Sequence, residues 1–558
     1  MLKRKIVGVM LIYAFLLPAL TFGQAAQAVY DAPKETIDKI KDEGMNRSQV
    51  MDTLSYLTDV IGPRLTASPG MKRANNWTRD TLEKWGLQNA HLESWGPFGR
   101  GWTLKRFYAN VDGPTAFPLI AYPKAWSPGT DTLKKGANTA YTGEVIYFNP
   151  TNEAELNEFK GKLKGKIVLV GAMREIKAHF EPQGTRATEK ELLDMADAPD
   201  PASIRRAAGT GGPRGGNAGQ AAQFNSLRFR FLSEEGAAVL IDAGRGDGGT
   251  VFVQGAAAVQ PAPVAGQAPV RASVYDKSAN VPIQISAAGE HFNRLVRTLN
   301  AGEKVTMTVD LAVEYQDADL NGYNTIAEIP GTDLKDEVVM LGGHLDSWQS
   351  GTGATDNGAG CAVMMEAVRI LHTLGLKPRR TIRIALWSGE EQGLHGSRAY
   401  VKQHFGYFGD GTTPAFGGGG GGQNQAPRTL TKLADYDKLS AYFNIDNGTG
   451  KVRGVYMQGN ENVRPIFRSW LAPFKEMGAN TLTLSNTGGT DHLSFDGIGL
   501  PGFQFIQDEV EYSSRTHHSN MDVFDRIQAD DMKQMSIILA SFVYQTAMMD
   551  QKMPKKGN

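Results

Sequence analysis

The chain has 558 residues, 41% hydrophobic and 21% charged, proportions of a folded globular protein that exclude collagen, coiled coil and wholesale disorder. Lys+Arg and Asp+Glu are both 59, so there is no basic excess for nucleic acid and none is expected as a partner. A single cysteine, Cys361, excludes an internal disulfide framework and a four-cysteine zinc site.

Residues 1–28 read as a secretory signal. Lys3, Arg4 and Lys5 precede an apolar run from Ile6 to Leu20, and Ala26-Gln27-Ala28 offers a small-x-small cleavage site. The run is shorter than the roughly 20 residues that a membrane-spanning helix needs. The expected product is exported, periplasmic or secreted, without stable membrane association once the signal is removed.

Two helices are expected between Ser48 and Gly86. The second, Met71 to Trp85, spaces Ala74, Trp77, Leu82 and Trp85 at helical intervals. His91 to Trp95 reads as a strand. Between Gly129 and Val313 short apolar strands appear at 143–148, 165–170 and 236–241. Gly/Ala/Pro-rich insertions at 207–222 and 255–272 separate them and read as mobile loops. A strand at 281–285 and a helix at 288–299 close that region. After Asn324 strands alternate with helices: strands at 336–341, 381–386, 440–445 and 502–506, and helices at 358–374 and 530–549. The expected fold class is α/β, a mostly parallel sheet flanked by helices, with a β-rich insert. The expected division is 1–28 signal, 29–128 N-terminal part, 129–313 insert and 314–558 catalytic domain. Residues 416–425, with six consecutive glycines, read as a flexible surface loop.

The carboxyl end of each late strand delivers an acid or an imidazole. The first runs into Gly-Gly-His344-Leu-Asp346-Ser-Trp, with Asp356-Asn-Gly ten residues beyond Asp346. The second ends in Trp-Ser-Gly-Glu390-Glu391-Gln-Gly and the third in Asn-Ile-Asp446-Asn-Gly; His517-His518-Ser-Asn-Met-Asp522 follows the fourth. Ligands of open parallel sheets bind at these ends. Singly, each residue has a plainer reading: a cap, a turn or a solvated surface. Jointly, so many acids after apolar strands would repel one another, and no Lys/Arg cluster accompanies them. One or two divalent metals would supply the charge; imidazole with carboxylate favours zinc, with manganese or cobalt as substitutes. Asp346 is placed to orient a neighbouring group from behind the metal. Consecutive Glu390 and Glu391 cannot both face one metal, so one can bind while the other takes a proton from water.

Together these motifs resemble the dizinc exopeptidases, a superfamily that includes secreted leucine aminopeptidases, glutamate carboxypeptidase and the transferrin receptor. The His-Leu-Asp-Ser-Trp and Thr-His-His-Ser stretches are most similar to its carboxypeptidase Q branch. The resemblance covers residues 324–549 and the helical N-terminal part. It implies two Zn2+, His344 with Asp446 on one and Glu391 with His518 on the other, bridged by Asp356. It implies Glu390 as general base and Asp346 as the carboxylate behind His344. His518 is chosen over His517 because the pattern places Ser or Thr next and Asp four residues after the His. Asn357 departs from the branch, which has an acid there. Strands 165–170 and 236–241 resemble a protease-associated domain insert.

Thr490, Asp491 and His492 lie in a stretch similar to the family's substrate loop, and Arg515 is the nearest cation for a substrate carboxylate. His395 reads as packing or capping and Cys361 as a buried thiol. Glu509 and Glu511, just before His518, favour recognition of a free amine. The implied activity is removal of N-terminal residues from short peptides or dipeptides, with a homodimer admissible as the assembly. The alternatives are a carboxypeptidase Q-like enzyme that recognises a free C-terminus, a receptor-like protein on the same fold, and a single-zinc cyclase.

Overall fold

The structure is a computed structural model and describes residues 29–557 other than 135, 137, 202–216, 265, 267–269, 410 and 412–428. The expected signal at 1–28 and the glycine-rich loop at 416–425 lie outside the described residues.

Two eight-stranded mixed sheets organise the chain. The first contains β1 (Gln88–Trp95), β2 (Gly322–Ile329), β3 (Leu334–His344), β4 (Arg380–Trp387), β5 (Leu439–Asn444), β6 (Val452–Tyr456), β7 (Thr481–Thr483) and β8 (Gly502–Gln507), in the order β1-β2-β4-β3-β5-β8-β6-β7. Its centre, β4-β3-β5-β8, is parallel; β1 and β2 at one edge and β6 beside β8 run antiparallel. The central strands are apolar on both faces, as strands covered by helices on both sides must be. On β3, Val339 and Leu341 join one core, with helices α1 (Lys34–Asn46), α3 (Ala359–Thr373) and α4 (Ala529–Met548). Val338 and Met340 join the opposite core, with Trp387, Tyr400 and Phe495. Helix α2 (Pro69–Lys84) packs on β1 and β2. Ser68 caps it by accepting the Met71 N–H at 3.1 Å, and Pro69 occupies its first position.

The second sheet takes its strands from 101–113, 117–118, 121–123, 141–148, 167–170, 239–243, 283–287 and 306–316. It therefore reaches from Gly101 to Gln316, wider than the expected 129–313, because the long strand 101–113 pairs with 306–316 and not with β1. Of the two Gly/Ala/Pro-rich stretches expected as loops, residues 207–216 lie outside the described residues, and the described part of 255–272 is a loop without helix or strand. Residues 217–222 begin a helix that runs to Glu234. Ala256 donates its N–H to the Ala125 carbonyl at 2.7 Å, and the Gln260 side chain bonds the backbone of Ala258 and Ala272, so backbone pairing holds a segment whose composition supplies little apolar anchorage. Among the described residues no helix is long and apolar enough to cross a membrane.

Candidate metal centre

Register aligns the ends of the central strands. His344 lies opposite Trp387, and Gly342 opposite Asn444, so the residues that leave β3, β4 and β5 emerge side by side. His344 Nε2 sits 3.1 Å from Asp446 Oδ1 and 3.2 Å from Asp356 Oδ1. His518 Nε2 sits 2.9 Å from Glu391 Oε2 and 3.1 Å from Asp356 Oδ2. Asp356 thus offers one oxygen to each ring. His517 lies farther off, with Nε2 3.8 Å from Asp356, and stacks on Tyr512 at 4.6 Å. Glu390 Oε2 is 3.9 Å from His344 Nε2 and lies outside both groupings.

The donor set fits divalent zinc. Four ligands at about 2.0–2.1 Å in a tetrahedron lie roughly 3.3 Å apart, close to the separations within each grouping. Asp356 Oδ2 and Glu391 Oε1 are buried without a hydrogen-bond donor, a costly state for protein groups alone. The electrostatics agree. Burial would raise Asp356, but the His344 and His518 rings outweigh it and hold its carboxyl well below the usual range. Burial, with the Asp356 charge adding to it, pushes Glu391 up to about 8. Burial also lifts Glu390 well above the carboxylate range, opposed by His344 and reinforced by Asp446 and Asp491. Burial would lower His518, yet Glu391 and Asp356 push it up to about 10. The protein supplies more negative charge here than its own cations balance.

Supporting contacts explain how these groups are held. Asp346 is fully buried, and its Oδ1 accepts the Glu390 N–H at 3.2 Å while Oδ2 accepts the Glu391 N–H at 3.3 Å and the Thr66 hydroxyl at 3.0 Å. The His344 ring reaches the Asp346 backbone carbonyl at 3.0 Å and its carboxylate only at 3.7 Å. Asp346 thus fixes the Glu-Glu turn by side chain and the imidazole chiefly by backbone. Trp348 Nε1 donates to Glu391 Oε2 at 2.8 Å. Asp522 accepts the N–H groups of Thr355 at 2.5 Å and Asp356 at 3.3 Å. Asn357 points away from the acids: Nδ2 donates to the Ile445 carbonyl at 2.8 Å and Oδ1 accepts the Gly360 N–H at 3.0 Å. A carboxylate could not make the first of these bonds.

Arg64 binds the loops together. It is fully buried and donates to the carbonyls of Leu345 at 2.6 Å, Gly353 at 2.7 Å and Thr352 at 2.8 Å. Gly353 permits the approach: its φ is +64°, and a Cβ there would meet Ser347 at 2.3 Å.

Of the residues expected to bind substrate, Asp491 lies beside the acids of the site and the others have partners of their own. Thr490 is buried and its hydroxyl accepts from Asn444 Nδ2 at 2.9 Å. Burial pushes Asp491 up to about 7, opposed by the His344 ring and reinforced by Asp446 and Asp346. His492 is fully buried against Gln458 and Thr487, and burial drives it down to about 3; it is a core imidazole and not a pocket wall. Arg515 is engaged with Gln183 and, at 3.2 Å, with the Thr250 hydroxyl. Glu511 pairs with Arg526 at 3.0 Å, and exposed Glu509 accepts the Ser513 N–H. His395 opens a helix and stacks on Trp95, and Cys361 is buried.

Residues 324–543 match Peptidase family M28. Carboxypeptidase Q of Mus musculus is 29% identical over 267 residues, 48% of this chain and 50% of that protein; the Homo sapiens protein of that name is 28% identical over the same length. The chain thus spans about half the length of these relatives. Leupeptin-inactivating enzyme 1 of Streptomyces exfoliatus is 31% identical over 182 residues, 32% of this chain and 34% of that one. In fold, a peptidase M28 precursor from Shewanella amazonensis covers 94% of this chain and 99% of its own, with a TM-score of 0.61 and 21% identity. A zinc aminopeptidase from Bacillus subtilis covers 90% and 96%, with a TM-score of 0.51 and 16% identity.

Proposed function

We propose, from the match of residues 324–543 to Peptidase family M28, that the chain is an exported dizinc metallo-exopeptidase acting at the N-terminus of short peptides or dipeptides. The observation that carries the reading is the pair of imidazoles, each beside its own carboxylate, joined through the two oxygens of Asp356. His344 and Asp446 would hold one zinc, His518 and Glu391 the other, and Asp356 would bridge them. Bound there, zinc supplies Lewis acidity, which polarises the scissile carbonyl and makes water easier to deprotonate.

Glu390 then serves as general base. It is the one acid of the Glu-Glu turn left outside the two groupings, and Asp346 fixes its backbone. Its carboxylate takes a proton from the attacking water and returns it to the leaving amine. The excess of acids over cations favours a substrate that presents a free amine. Arg515, the first candidate anchor for a substrate carboxylate, spends its guanidinium on Gln183 and Thr250.

A second reading, recognition of a free C-terminus as in a carboxypeptidase, has one observation in its favour. Arg245 is exposed and lies 4.2 Å above the Phe252 ring, and burial drives His517 down to about 4 with the His518 and Arg245 charges adding to it. The test is a panel of free dipeptides, aminoacyl anilides and their N-acetylated forms, with zinc counted on the same sample. Free-amine substrates should be cut and acetylated ones cut far more slowly. Equal cleavage of both, with dependence only on a free carboxylate, moves the assignment to the second reading and to Arg245.

A further inference from the structure

His518 has a φ of +61°, in the left-handed region that non-glycine residues seldom occupy, and Val510, a β-branched residue for which that region is worse still, has +55°. Such conformations persist where surrounding structure over-determines them. Here that structure comes from the second sheet's loops. Thr185 and Val510 exchange both backbone hydrogen bonds, at 2.8 and 2.9 Å. On the other side, Val253 donates its N–H to the His518 carbonyl at 2.9 Å, Asn520 donates to the Val251 carbonyl at 3.2 Å, and Phe252 bridges Ser519. The Gln254 side-chain amide nitrogen, Nε2, lies 3.0 Å from His518 Nδ1. His518 Nε2 faces Asp356 and Glu391, so Gln254 holds the opposite edge of the same ring.

We infer that Gln254, carried by the second sheet's loop, is a positioning residue for the second metal half-site. With Nε2 on zinc, Nδ1 carries the ring proton; the Gln254 amide, whose Nε2 faces Nδ1 at 3.0 Å, then turns over about its last bond to present its oxygen to that proton. The left-handed backbone sets the height of the ring, and the amide sets its rotation. The segment begins the Gly/Ala/Pro-rich stretch whose composition gave no sign of a role. The inference rests on the dizinc reading, and its test separates the two.

Full-length chain is stripped with chelator and titrated with zinc ion alone against a competing chromophoric chelator, for wild type, Gln254→Leu and Gln254→Glu. Thermal unfolding of each apo-protein checks the fold. Loss of a partner to a ligating histidine lowers metal affinity by roughly 10–100-fold. Gln254→Leu should lose that much at one of two sites, with the apo melting temperature unchanged. Gln254→Glu, which also accepts from Nδ1–H, should bind close to wild type. A Leu variant that binds both ions as wild type does overturns the inference and leaves the dizinc reading standing. Equal loss in the Glu variant overturns it too, because a hydrogen-bond acceptor would then not be what matters. Wild-type protein that takes up no zinc overturns both.

Discussion

Replacing Arg64 by Met keeps much of the side-chain length and removes every donor. Three backbone carbonyls, those of Leu345, Thr352 and Gly353, lose bonds of 2.6–2.8 Å, and those of Gly62 and Leu57 lose longer ones at 3.2 and 3.3 Å. An orphaned buried carbonyl costs about 1–3 kcal/mol, so the three short bonds set a gross loss of roughly 3–9 kcal/mol. The native guanidinium carries an opposing term. Burial holds its pKa below the ordinary arginine value, offset in part by Cys361 and Asp522, and the variant is relieved of several kcal/mol of desolvation. The net expectation is a destabilisation of about 3 kcal/mol, or a melting temperature lower by roughly 3 °C in a chain of this size. The loops that lose their tie carry His344 and Asp356, so zinc affinity should fall as well. Arg64→Lys, a point charge without the planar fork, should recover only part of both. The assay is thermal unfolding with and without chelator, beside zinc titration. An Arg64→Met protein with wild-type melting temperature and zinc uptake would show that the carbonyls find other partners and that the reasoning is wrong.

Glu390→Gln should cut turnover by about 10²–10⁴-fold while zinc content stays at the wild-type level; loss of metal would mean that the roles of the two glutamates are exchanged. His518→Ala should lose zinc and activity, and His517→Ala much less of either, read by metal analysis after dialysis. His492 should make the chain acid-sensitive. Its folded pKa lies near 3, below an unfolded value near 6.5, so the unfolded chain binds the extra proton and stability falls as pH drops through that interval. In urea unfolding, wild type should lose a few kcal/mol more than His492→Gln between about pH 6.5 and 3; parallel pH curves for the two proteins would refute this.

The sheet and its site residues were legible for one physical reason. Strands covered on both faces are written as largely apolar runs, and β3, β4, β5 and β8 keep to that closely enough, despite single polar residues such as Arg383, Ser440 and Gln504, that the acids and imidazoles after them stand out. The supports of the site left no such mark. Arg64 sits nearly three hundred residues from the loops it ties, and its partners are carbonyls, which any sequence possesses. Gln254 is one amide in a stretch of small residues. The sequence order that brought Glu509, Glu511 and Arg515 near His518 could not reveal that all three already had partners, in the Ser513 N–H, in Arg526, and in Gln183 with Thr250. Helix α1 escaped notice because its apolar stripe is sparse: Ile37 and Ile40 are buried with Glu43 and Gly44, not with further aliphatics.

That glycine marks where α1 meets α4. A Cβ on Gly44 would lie 2.3 Å from Ile537 Cγ1, and beside this crossing Ala32 donates its N–H to Gln545 while Trp470 Nε1 donates to the Tyr30 carbonyl. Helix α4 is buried along almost its whole length. One face of the first sheet is therefore sealed by segments some five hundred residues apart in synthesis. A nascent chain emerging from the ribosome or a translocation pore holds that face open until residue 548 is out. Such late closure leaves the apolar face of the sheet uncovered through most of synthesis, the interval in which a chain is most exposed to aggregation.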